Sequence, residues 1–122
     1  MNQMSPTPWT TEEVGEQTDQ WAKGVYMAMK AGFDGVEINA GSNHIGANFI
    51  SRFWNRERTD QYGSQSVENL GRFVTEILDK ARKLVGDDFP IGVLLNGNEW
   101  NVFNVGDNER CNNTHLQCEL AK

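Results

Sequence analysis

The sequence predicts an α/β fold whose parallel sheet has only two strands. Three observations carry that prediction. Two stretches place apolar residues every three or four positions, and each stops at a glycine. A short apolar run follows each stretch within a few residues. The segments after those runs are long and polar, whereas the links leading into them are short. Helices and strands alternating in this order build βαβ units and parallel strands.

Each element has its own local cause. Residues 1–9 contain Ser5-Pro6-Thr7-Pro8 and read as an extended lead-in. Thr10 stands three residues before Glu13, the spacing of a capping box, and starts the first helix. Val14, Thr18, Trp21, Ala22, Val25 and Met29 form its mostly apolar stripe, and Gly32 ends it. Phe33-Asp34-Gly35-Val36-Glu37-Ile38 then leads into a buried strand at about Gly35–Asn39. The stretch from Ala40 to Gln65 is rich in Gly, Asn, Ser and Arg, with little periodicity beyond Ile45–Ile50. A loop of that length is functional or carries short helices of its own.

A second helix begins near Ser66. Val67, Leu70, Val74, Ile77, Leu78, Ala81, Leu84 and Val85 make its stripe, and Gly86 closes it. Pro90-Ile91-Gly92-Val93-Leu94-Leu95 is the second strand, apolar enough to expect cover on both faces. Beyond Asn96-Gly97 the pattern dissolves, and Thr114–Lys122 reads as the opening of a third helix. The chain thus divides into the lead-in 1–9, βα units over 10–97 and a truncated C-terminal segment 98–122, all within one domain. Two parallel strands leave open edges and bare faces. The chain is therefore expected to be a piece of a larger α/β fold and to self-associate through those edges.

Composition narrows the function classes. The 122 residues are 38% hydrophobic and 23% charged, a globular balance. Eleven Lys and Arg against 17 Asp and Glu give a net charge of −6, which argues against a nucleic-acid partner and against a membrane-surface role. No apolar run approaches the roughly 18 residues of a bilayer span, and the first residues lack the pattern of a signal peptide. A cytoplasmic location is expected, with Cys111 and Cys118 reduced. Asn112-Asn113-Thr114 matches a glycosylation acceptor that such a location leaves unused.

The long polar segments Asn39–Gln65 and Asn96–Asn113 both follow strands. That asymmetry fits a barrel with one working face, and equally a doubly wound fold. Asn39, Ser42 and His44 lie at the start of the first segment, where polar residues by themselves read as turn chemistry. Arg58-Thr59-Asp60 with Tyr62 reads as a structural anchor of the loop. Trp21 and Met29 read as core. Cys111, His115 and Cys118 share one helix face at i, i+4 and i+7, but that spacing matches no zinc ribbon or knuckle, and no metal is expected. There is no phosphate-binding glycine loop of the Walker or Gly-x-Gly-x-x-Gly kind.

An ordered set of motifs goes further. It comprises Ala31-Gly32-Phe33-Asp34-Gly35-Val36-Glu37-Ile38, Asn48-Phe49-Ile50-Ser51, Asn55-Arg56, Arg58-Thr59-Asp60-Gln61-Tyr62-Gly63, Glu68-Asn69, Arg72-Phe73 and Gly86-Asp87-Asp88-Phe89-Pro90-Ile91-Gly92-Val93. Over about Thr10 to Gly97 it resembles the Old Yellow Enzyme family, the NADH:flavin oxidoreductases that include 2,4-dienoyl-CoA and 2-enoate reductases. Small insertions fall near Glu57 and Gln65. The resemblance implies an FMN-binding (β/α)8 barrel that passes hydride from NAD(P)H through flavin to an activated alkene. A whole barrel needs about 250 residues, so this chain supplies about two of the eight strands.

The resemblance also implies roles for particular residues. The family places His-x-x-His or His-x-x-Asn after Val-Glu-Ile, to bind the substrate's electron-withdrawing oxygen. Asn39 and Ser42 stand there and still donate hydrogen bonds. The family's proton-donating tyrosine aligns with His44, a competent general acid near neutral pH. A flavin-contacting arginine in the second strand aligns with Leu94, which removes one FMN contact. The flavin is expected over the strand ends, near Asn39 and Asn96-Gly97. Leu94 and the low strand count also fit a different class of protein: a non-catalytic remnant or interaction module that needs a partner to complete the barrel.

Overall fold

The computed structural model describes residues 7–42, 44–99, 112 and 114–122. Its elements run α1 (Thr11–Lys30), β1 (Val36–Ala40), α2 (Ile45–Ile50), α3 (Val67–Val85), β2 (Ile91–Leu95) and α4 (Thr114–Leu120). The two strands pair in parallel, with Val36 opposite Ile91, Asn39 opposite Leu94 and Ala40 opposite Leu95. Pairing begins one residue later than the composition of the first strand predicts. The 3.0 Å bond from the Val36 amide to the Pro90 carbonyl marks its start.

The expected helix ends are present. The Thr10 hydroxyl accepts from the Glu13 amide and the Glu13 carboxylate accepts from the Thr10 amide, which closes the capping box. Ser66 caps α3 by accepting from the Asn69 amide. Gly32 (φ +88°) and Gly86 (φ +75°) lie in the left-handed region that ends each long helix. The stretch at Ile45–Ile50 becomes the one-and-a-half-turn helix α2, inside what the sequence reads as loop.

Helices α1 and α3 pack together. Val14, Ile38, Ala40, Phe49, Ile50, Tyr62, Phe73, Val74 and Ile77 form the main buried core, with Ile91, Val93 and Leu95 packed against it. Ala22, Val25, Ala81 and Phe89 extend it along the helices. Side chains alternate along a strand, so Glu37, Asn39, Gly92 and Leu94 face the other way. No described element covers that face, and Leu94 is 40% exposed. Among the described residues the apolar run in β2 is covered on one side, the side of the core. Leu84 lies on the α3 stripe yet is also exposed, at the helix's last turn.

An aromatic cluster ties the layers together. Phe49 of α2 stacks on Phe73 of α3 with ring centres 4.3 Å apart and planes 13° from parallel. Trp21 of α1 meets Phe73 edge-on, and Trp9 and Tyr62 flank Phe49. The Arg58 guanidinium lies over the rings of Phe49 and Tyr62. It grips Asp60 through two bonds of 2.7 and 2.6 Å and donates to the Trp9 carbonyl at 2.9 Å. Thr11 also donates to Asp60, so the loop is bound to the first turn of α1. This is the anchoring role that the Arg-Thr-Asp motif predicts.

Partial burial of Asp60 raises its pKa. Hydrogen bonds from Arg58, Thr11 and the Tyr62 amide outweigh it, and the carboxyl falls from 3.8 to about 2. A carboxylate whose pKa is lower folded than unfolded stabilises the fold above its unfolded value, and that contribution disappears as pH falls through the folded one. Stability should therefore decline between about pH 4 and pH 2. Denaturant titrations across this window should show the decline in the native chain and a shallower one in Asp60→Asn. Equal slopes in the two chains would refute the assignment.

Candidate functional site

The site predicted from sequence lies where β1 ends. Asn39 is the fourth of its five strand residues, and its side chain lies on the open face beside Leu94. The Asn39 carboxamide oxygen accepts the Gly41 amide at 3.0 Å, a turn-forming bond to the residue two positions on. The Asn39 nitrogen keeps its two hydrogens as donors with no protein partner among the described residues. Ser42 follows in the left-handed region at φ +54°, exposed, with its amide donating to the Asn96 carboxamide at 2.9 Å. The His44 amide reaches back to the Gly41 carbonyl at 3.3 Å.

His44 is the residue before α2, and its imidazole makes no capping bond there. It lines a shallow groove together with Trp21, Asn39, Ile45 and Asn48. The structure therefore brings Asn39 and His44 to one groove. Ser42 sits on the turn between them, outside that lining. Trp21 does the core duty read from its spacing, through Phe73, and also walls the groove. Asn48 belongs to the Asn48-Phe49-Ile50-Ser51 motif, which by itself gives it no site role. It stands three residues after Ile45 on a helix too short to show periodicity. A second cleft lies on the far side of Ile45 and Asn48, walled by Trp9, Phe49 and Trp54.

Two devices hold α2 in place. Gly46 is pressed onto β1: a Cβ there would stand 2.9 Å from both the Ala40 Cα and the Asn39 carbonyl oxygen. Beyond the helix, Ser51 and Glu99 form a buried polar cluster with Asn112. The Ser51 hydroxyl (3.0 Å) and the Asn112 amide (2.9 Å) both donate to the Glu99 carboxylate, and the Asn112 side chain donates to the Ile50 carbonyl at 2.8 Å. The cluster ties the segment after β2 to the end of α2. The bonds from this cluster to the end of α2 span 48 and 62 residues of sequence, so no local pattern announces it.

The metal-face reading has only part of its residues in view. Cys111 lies outside the described residues, while His115 and the free Cys118 are exposed on α4. No group of three or more His, Cys, Asp or Glu able to hold a metal occurs among the described residues. No described helix is long and apolar enough to cross a membrane.

The family model of the NADH:flavin oxidoreductase / NADH oxidase family matches residues 2–102. The chain belongs to that family. Among its relatives, cinnamate reductase of Clostridium sporogenes is 42% identical over 85 residues, covering 69% of this chain and 12% of the reductase. N,N-dimethylglycine/sarcosine dehydrogenase of Chromohalobacter salexigens is 37% identical over 92 residues, covering 73% and 12%. Morphinone reductase, solved in complex with tetrahydroNAD, superimposes with a TM-score of 0.67 at 33% identity, over 74% of this chain and 24% of that one. The fold is thus a portion of a TIM barrel, as the resemblance implies. The chain spans about an eighth to a quarter of the length of these relatives. In such a barrel the open sheet face is the interior, and the ends of β1 and β2 belong to the working rim.

Gly46 supplies a direct test of the site's geometry. Alanine at a helix position ordinarily gains up to about 1 kcal/mol over glycine. Here Gly46→Ala should lose about 1–3 kcal/mol, because the methyl meets backbone that cannot move aside. Urea denaturation reads the sign, and a stabilised variant would contradict the close approach of α2 to β1.

Proposed function

We propose that this chain carries part of the active site of an FMN-dependent, ene-reductase-like oxidoreductase. The complete protein would pass hydride from NAD(P)H through flavin to an activated alkene in a small-molecule substrate. The observation that carries the reading is the meeting of Asn39 and His44 on one groove at the end of β1, with Leu94 beside Asn39 in register. Asn39 and Ser42 donate to the substrate's electron-withdrawing oxygen, where negative charge grows during reduction. His44 holds the proton for the carbon that does not receive hydride. The family membership and the reductases among the relatives support this reading.

The open face suits a flavin ring in part. Leu94 offers an apolar surface and Asn39 an amide donor, side by side. Neither β1 nor β2 places a lysine or arginine on that face, so a cation for the phosphate must come from elsewhere. When bound, FMN supplies the electron chemistry, and the chain's residues supply placement and charge stabilisation. A cytoplasmic location accompanies the proposal, in keeping with the free thiol of Cys118.

The test is the visible spectrum of the purified chain after incubation with FMN and desalting. A retained band at about 450 nm that is bleached by NADH and restored by cinnamate supports the reading. Asn39→Ala and His44→Phe should then slow the restoration. A chain that retains no flavin favours the second reading, a non-catalytic module completed by a partner, for which Leu94 in place of arginine is the specific observation. The open edges of the sheet add an expectation of self-association. Sedimentation velocity should show oligomers, and a sharp monomer peak would refute it.

A further inference from the structure

We propose that Asn96 is a positioning residue that sets the turn carrying Asn39 and Ser42. This rests on the reading of that turn as the substrate-binding loop. The argument begins with Ser42, whose φ of +54° makes it the only described residue other than glycine in the left-handed region. A serine gains nothing from that conformation and keeps it only where its surroundings impose it. The imposed contact is the bond from the Ser42 amide to the Asn96 carboxamide oxygen, 2.9 Å long across 54 residues of sequence.

The neighbouring geometry supports the same assignment. Ala40 and Leu95 are paired, so Gly41 and Asn96 are the next residues along each strand. A Cβ on Gly41 would stand 3.1 Å from the Asn96 oxygen and 3.5 Å from Leu94 Cγ. Glycine at 41 thus leaves the room that the Asn96 side chain occupies. Asn39 holds the Gly41 amide at the same time. Two carboxamide oxygens therefore take two successive amides, one from within the turn and one from the loop after β2. With one lone pair of its oxygen held by the Gly41 amide, Asn39 still has both N–H donors for a ligand, which biases the turn toward acceptor atoms. Asn96 reaches the ligand through this turn and not by contact.

Amide hydrogen exchange on the full chain, resolved at Ser42, is the experiment. In Asn96→Ala, protection of the Ser42 amide should fall about tenfold, on the order of one lost hydrogen bond. In Asn96→Asp, which keeps an acceptor oxygen, protection should return to within about threefold of the native chain. The amides of Phe73 and Ile77 in α3 should be unchanged in both variants, which separates a local clasp from general loosening. Where FMN is retained, cinnamate affinity should weaken in Asn96→Ala and recover in Asn96→Asp. Unchanged Ser42 exchange in Asn96→Ala overturns the inference. So does equal deprotection in both variants, since the acceptor oxygen would then not be what holds the turn. A chain with the expected exchange pattern that binds neither FMN nor cinnamate overturns the reading of the site and leaves the role of Asn96 in the turn standing.

Discussion

The stack of Phe49 on Phe73 is the contact on which the rest of the structure depends. It joins a six-residue helix, too short to be stable by itself, to the long helix α3. Phe73 is fully buried, and Trp21 closes on its edge from α1. Two helices and α2 thus converge on a single ring. Each such aromatic pair contributes about 0.5–1.5 kcal/mol beyond the area it buries. The larger consequence is geometric: α2 has one place to sit, and that place presses Gly46 against the end of β1.

Polar contacts then fix what the aromatic cluster only brings near. Arg58 lies over two of the rings while gripping Asp60 and the Trp9 carbonyl, so it seals the cluster and ties the loop to α1. Buried Asn55 donates to the Phe49 and Tyr62 carbonyls, joining the two sides of the same loop. Glu99 and Asn112 hold the far end of α2. The rim at Asn39 and His44 is consequently set by packing beneath it and by clasps on either side, and both residues line the groove above it.

Much of the fold is legible in the sequence. Thr10 with Glu13, Ser66, Gly32 and Gly86 mark helix ends through chemistry confined to a few neighbouring residues, so a linear reading finds them. The stripe from Leu70 to Ala81 is legible for the same reason. The motif Arg58-Thr59-Asp60 was legible as an anchor because a guanidinium and a carboxylate two residues apart pair readily. What they anchor, the Trp9 carbonyl and Thr11, was not legible, since those partners lie 49 residues away. The exposure of Leu94 ran against its apolar run, because what covers a strand depends on elements outside it.

Of the candidate site, the residue types were readable and their arrangement was not. The sequence by itself determined a two-strand α/β portion, the boundaries of its two long helices, the family, and the polar identities at Asn39, Ser42 and His44. Tertiary structure decided that Asn39 and His44 share a groove while Ser42 stands outside it. It also decided that Asn96 reaches across from the next loop, and that Gly46 is a close approach and not a flexible joint. The physical reason is the range of the forces involved. Capping, turn preference and amphipathic period act over a few residues and are written locally. A left-handed serine held by an asparagine from the loop after the neighbouring strand exists only once the parallel register has set Ala40 beside Leu95.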